Sequence, residues 1–129
     1  MTKFGQYEGK RHYRLHPGYL AWMLMRASGV MLALYLPLHI WVTHHLASGE
    51  AAFNQVMAAV QNPLFHVLEA GLLGVVLFHG LNGLRCILVD YAGWARREVF
   101  HKAVVGVFAV SLVLVVIGAV PMIRLAFAH

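Results

Sequence analysis

The sequence predicts an all-α integral membrane protein built on three transmembrane helices. Of its 129 residues, 60% are apolar and only 12% are charged, a balance outside that of ordinary soluble domains. The apolar residues also gather into three stretches, each meeting the roughly 20 residues a helix needs to cross a bilayer. Three such spans leave almost nothing for a soluble domain. Cations outnumber anions, 10 Lys and Arg against 5 Asp and Glu. In a soluble chain that excess would suggest a nucleic-acid partner. Here the cations flank apolar runs, so membrane topology accounts for them and no nucleic acid is expected.

Residues 1–18 form a basic and aromatic N-terminal segment suited to the headgroup layer, with Lys3, Lys10, Arg11 and Arg14 among Tyr7, His12, Tyr13 and His16. Pro17 and Gly18 then favour a new start, and residues 19–129 form the transmembrane domain. The first span is expected over about 19–45. It is too long for a signal-peptide core and is followed by no small-residue cleavage pattern, so it is a permanent span. Trp22 and Trp41 bracket it as interface anchors. The link over 46–62 holds Glu50 but no Lys or Arg. It has room for a short surface helix around 51–60, which Asn62-Pro63 separates from the second span.

The second span is expected over about 63–91. The link after it carries Arg96, Arg97 and Lys102, and the third span follows over about 103–123. The positive-inside rule therefore puts the N-terminus and the second link in the cytoplasm, with the first link and the C-terminus outside. Such a chain is suited to a bacterial-type inner (cytoplasmic) membrane. Cys86 is the single cysteine. Neither an intrachain disulfide nor a cysteine-based metal site can form, and it reads as a small core residue.

An ionisable residue inside a span is costly, and faces the bundle interior or a cofactor. His79 lies in FHGLNGLRCILVDYAG, between Gly80 and Gly83 on one side of the chain and Phe78 on the other. Two readings fit it: a haem-iron ligand, with the small residues opening space for a flat macrocycle, or a buried imidazole hydrogen-bonded to a neighbouring helix. Asp90 falls about 20° from His79 around a helix, on the same stripe. Arg85 is suited to pairing with a haem propionate, or to snorkelling toward the interface.

His39 sits toward the outer end of the first span, on a stripe with Ser28 and Tyr35. Counted from the cytoplasmic ends of their spans, His39 lies about 28 Å deep and His79 about 18 Å deep. They cannot share one haem. If both ligate, each serves a different haem completed by a His from another chain. Arg26, with Ser28 and Gly29 close behind it, is suited to hydrogen-bonding a quinone carbonyl, with Tyr91 expected at the same level, or to snorkelling to phosphates. His44, His45 and His66 read as solvated boundary residues. Glu69 suggests no role, and the third span reads as packing alone.

Two of these segments resemble the membrane-anchor and cytochrome b subunits of succinate dehydrogenases and fumarate reductases. Arg26-Ala27-Ser28-Gly29 resembles their first-helix R-x-[ST]-G. His79 through Tyr91 resembles their second-helix H-x3-G-x-R, with an acidic residue eleven positions after the His. Trp22 and Met25 stand where the best-known one-haem members carry a Ser and a His. The combination of Arg26-x-Ser28-Gly29 with Asp90-Tyr91 draws on both sister anchors.

The resemblance implies a fold that is half of a heterodimeric haem-binding bundle. It implies His79 as an axial ligand of haem b, His39 as the ligand of a second haem in two-haem members, and Arg26, Ser28, Asp90 and Tyr91 as the quinone region. The chain has neither a Gly-rich nucleotide fingerprint nor a cysteine cluster for iron–sulfur ligation. A flavoprotein subunit, an iron–sulfur subunit and a second anchor subunit are therefore the expected partners, with succinate chemistry outside this chain. The alternatives are a haem-free structural anchor, a fumarate reductase anchor working in reverse, and a small transporter using His79, Glu69 and Arg85.

Overall fold

The computed structural model describes residues 16–92 and 96–128. Lys3, Tyr7, Lys10, Arg11, His12, Tyr13 and Arg14 of the N-terminal segment lie outside the described residues. Helix α1 (Pro17–His44) passes into a 3-10 turn (His45–Ser48), followed by α2 (Glu50–Val60), α3 (Pro63–Tyr91) and α4 (Arg97–Ala126). Three of these helices, α1, α3 and α4, are long and apolar enough to cross a membrane.

Both α1 and α3 begin with proline at the first helical position, where the missing N–H would have had no intrahelical partner. A side chain caps each start. His16 Nδ1 accepts from the Gly18 N–H at 3.1 Å, and Asn62 Oδ1 accepts from the Phe65 N–H at 3.1 Å, which satisfies donors that a helix N-terminus leaves open. Gly49 joins the 3-10 turn to α2 with φ of 102° and ψ of 168°, a region open essentially to glycine alone.

Helices α1, α3 and α4 hold 28, 29 and 30 residues. At 1.5 Å per residue each is about 42–45 Å long, more than the roughly 30 Å hydrocarbon layer. Helix α4 shows the consequence most clearly: it starts at Arg97 and ends at Ala126, whereas the apolar stretch covers about 103–123. No Gly or Pro interrupts residues 97–103, so the helix propagates through its polar flank.

The most extensive interface is that of α3 with α4, and small residues let the backbones approach. A Cβ built on Gly74 would lie 3.5 Å from Val115 Cγ2, and one on Gly118 would lie 2.5 Å from Leu73 Cδ2. Phe78 and Phe108 add a ring contact with centroids 5.3 Å apart. Helix α1 runs antiparallel to α3, Met25 meeting Gly83 and Gly29 meeting His79. Its first turn also reaches α4, where a Cβ on Gly18 would be 3.2 Å from Phe100 Cε1.

Among the described residues, the buried apolar set is Ala21, Ala70 and Val104, and the buried polar set is Ser28, Asn82, Arg85 and Ser111. Large apolar side chains such as Val30, Leu34, Leu112 and Ile117 point outward. This distribution inverts that of a soluble bundle. Lipid can cover the aliphatic exterior, whereas polar groups must find partners in the helical seam.

Candidate functional site

The α1–α3 seam brings together two of the site residues expected from sequence. Ser28 Oγ lies 3.0 Å from His79 Nδ1, and the same hydroxyl donates to the Met25 carbonyl at 3.0 Å. A helix back-bond to the residue three positions earlier is the usual recourse of a serine in an apolar span. Ser28 is 6% exposed, while His79 is only half-buried. Its Nε2 has no hydrogen-bond partner among the described residues.

The surroundings of His79 are suited to a planar ligand. A Cβ built on Gly29 would stand 3.3 Å from His79 Cε1, whereas one on Gly80 would meet nothing within 4 Å. One edge of the imidazole is therefore held by α1, and the helix beside it is open. An imidazole with one nitrogen engaged and the other unpartnered is the donor set that a haem iron takes. No group of three or more His, Cys, Asp or Glu side chains able to hold a bare metal ion occurs among the described residues.

Arg85 is engaged within the bundle. It is 9% exposed, with Nε donating to Asn82 Oδ1 at 2.9 Å, Nη2 3.5 Å from Cys86 Sγ, and the guanidinium 5.0 Å from the centroid of the Phe100 ring on α4. The cation thus lies in the α3–α4 seam, not on the side where α3 meets Ser28. The two positions differ by six residues, about 240° around a helix. Asn82, 1% exposed, and Phe100 were not singled out from sequence. Asn82 was detectable as an amide inside an apolar span three residues before Arg85. Phe100 was not, because its role depends on how α4 crosses α3.

The quinone candidates do not converge within this chain. Arg26 is exposed and lies over the Trp22 ring, 4.4 Å from its centroid. Ser28, two positions on, faces inward, because residues two apart lie about 200° apart on a helix. Asp90 and Tyr91 are exposed, Tyr91 to 89%. With Ser28 opposite His79, Arg26 stands opposite residue 81, so Tyr91 is ten residues further along α3, about 15 Å at the helical rise. The expectation that Arg26 and Tyr91 share a level is therefore corrected by the helix register.

His39 is exposed on α1 and pairs within its own helix, its Nδ1 2.8 Å from Tyr35 Oη. His45 Nδ1 donates to the Trp41 carbonyl at 2.8 Å, closing the end of α1. His66 and Glu69 approach to 3.4 Å, one turn apart near the start of α3.

Long apolar helices, a polar seam and an outward aliphatic surface together define a multi-pass helical membrane protein. The chain matches the succinate dehydrogenase/fumarate reductase transmembrane subunit family over residues 7–118. It is 30% identical over 107 residues to the succinate dehydrogenase 2 membrane subunit SdhC of Mycobacterium tuberculosis, covering 83% of this chain and 77% of that protein. It is 35% identical over 79 residues to the succinate dehydrogenase hydrophobic membrane anchor subunit of Archaeoglobus fulgidus, covering 61% and 68% respectively. The Halobacterium salinarum protein of the same description is 33% identical over 108 residues, covering 81% and 78%. The chain belongs to the succinate dehydrogenase/fumarate reductase transmembrane subunit family, the one its two motifs resemble, and is a membrane-anchor subunit of that kind of complex.

Proposed function

We propose that this chain is a haem-b-carrying anchor of a succinate:quinone oxidoreductase, with His79 as its axial ligand. The observation that carries the reading is the half-engaged His79: its Nδ1 is within hydrogen-bond distance of Ser28 Oγ and its Nε2 is unpartnered beside the open helix at Gly80. Haem b, when bound, supplies a one-electron iron couple between the electron donor and the quinone. This chain's own residues ligate, bury and orient. A further ligand would come from a sister anchor subunit, which would complete the heterodimeric bundle. His39 lies too far along α1 to serve the same haem. It ligates a second haem in a two-haem complex and is otherwise a surface residue paired with Tyr35.

A flavoprotein subunit and an iron–sulfur subunit supply the electrons from succinate, docking at the cytoplasmic side of the membrane. The placement of cations supports this topology. Arg96 and Arg97 begin α4, where the helix dipole disfavours positive charge, so their position is better explained by retention on the cytoplasmic side of the membrane. On that reading the C-terminus is outside. Arg26, Asp90 and Tyr91, exposed toward the cytoplasmic ends of α1 and α3, are the quinone-side residues. Their axial separation calls for a sister-anchor or iron–sulfur subunit to complete the pocket. All three relatives described above carry succinate dehydrogenase names, which favours succinate oxidation over fumarate reduction.

The test is His79→Leu in the assembled complex, read as b-type haem per flavin from a dithionite-reduced spectrum. Loss of one haem is expected. A full haem complement in the assembled variant would leave the chain as a bare structural anchor.

A further inference from the structure

We infer that Ser28 is a positioning residue for His79, fixing the imidazole as the Nδ1–H tautomer so that the Nε2 lone pair is directed to a metal centre. The inference rests on the reading of His79 as the axial ligand.

The argument is a proton count. Ser28 Oγ has two neighbours at 3.0 Å, the Met25 carbonyl and His79 Nδ1, but only one proton. The carbonyl is an acceptor only, so a bond to it consumes the serine proton. The bond to His79 can then exist only if Nδ1 carries a hydrogen and donates it to Oγ. In the opposite tautomer the serine must give up one of its two bonds, and an Nε2–H donor stands in the apolar layer without an acceptor. The arrangement that keeps both bonds leaves Nε2 deprotonated, which is the state that ligates iron. Gly29 supports the same alignment, since any side chain there would press on His79 Cε1 at 3.3 Å. Burial and the engagement of both its neighbours leave Ser28 Oγ no proton for a quinone carbonyl.

A donor hydrogen bond from the distal ring nitrogen raises the basicity of the ligating one and favours ferric iron. Removing the acceptor should therefore raise the haem midpoint potential. In the purified four-subunit complex, Ser28→Ala is expected to lose three- to tenfold in ferric preference, an upward shift of about 30–60 mV at 59 mV per decade for one electron. Ser28→Thr, which keeps Oγ, should restore the wild-type potential. Should Ser28→Ala fail to load haem, Ser28→Cys keeps the volume with a weak acceptor, and the same upward shift is expected there.

An unshifted or lowered potential in whichever variant loads haem overturns the inference, and a raised quinone KM with an unshifted potential would return Ser28 to the quinone. These outcomes are distinct from failure of the haem reading itself, which is scored by His79→Leu. Haem lost in His79→Leu with no shift at Ser28 removes only the inference, whereas haem retained in His79→Leu removes both.

Discussion

Replacing Asn82 with alanine tests whether the polar seam between α3 and α4 is a built feature. Asn82 is 1% exposed and Arg85 9% exposed, and a single 2.9 Å hydrogen bond from Arg85 Nε joins them. Asn82 Nδ2 has no partner among the described residues, so truncation forfeits nothing on that side. It does remove the acceptor from a buried cation. A hydrogen bond to a charged group contributes about 1.5–3 kcal/mol, and the Phe100 ring, 5.0 Å from the guanidinium, cannot replace it because it accepts no in-plane bond.

Asn82→Ala is therefore expected to destabilise the anchor by about 2 kcal/mol. Arg85→Leu should cost a similar amount, since it strands Asn82 Oδ1. The double variant should cost less than the sum, because neither partner is then left unpaired. The assay is unfolding of the purified complex in detergent, followed by helical circular dichroism across all four members of the cycle. Strictly additive singles would refute the reasoning and make the contact incidental.

Two further predictions use glycines. Gly118→Ala should be less stable than Gly106→Ala by about 1 kcal/mol, the lower end of overpacking costs, because the new Cβ meets Leu73 Cδ2 at 2.5 Å in one case and nothing within 4 Å in the other. The helix-propensity gain is common to both, so thermal denaturation of the pair isolates the contact. Gly29→Val should displace the His79 ring, whose Cε1 is 3.3 Å from a built Cβ, and lower haem per flavin, while Gly71→Ala, where a Cβ meets nothing within 4 Å, should leave the haem spectrum unchanged.

The architecture was largely legible in the sequence because a membrane span announces itself by length and apolarity, without help from tertiary contacts. The starts of α1 and α3 were legible too, since Asn62-Pro63 and Pro17 act locally through a cap and a fixed φ, whereas α4 begins at Arg97, ahead of its apolar stretch. What sequence could not settle was azimuth and register between helices. His79 and Ser28 were placed in separate roles, haem and quinone, because nothing local says that residues 51 apart will touch. Arg26 and Ser28 were grouped because they are close in sequence, although helical geometry sends them to different faces. For Arg85, pairing with a propionate and snorkelling stay open in the sequence because the position of Phe100, on a different helix, decides where its guanidinium rests.

The back-bond of Ser28 to Met25 also has a meaning in time. Ser28 leaves the ribosome 51 residues before His79, about 3–10 s earlier at 5–20 residues per second. During that interval α1 must stand in the bilayer without α3. A hydroxyl already bonded to its own helix can wait there at little cost, and when α3 arrives the same oxygen is still free to accept. Arg85 likewise enters with Asn82, its acceptor, on the same turn. His79 is the late arrival, and the partner it meets on α1 has been in the membrane before it.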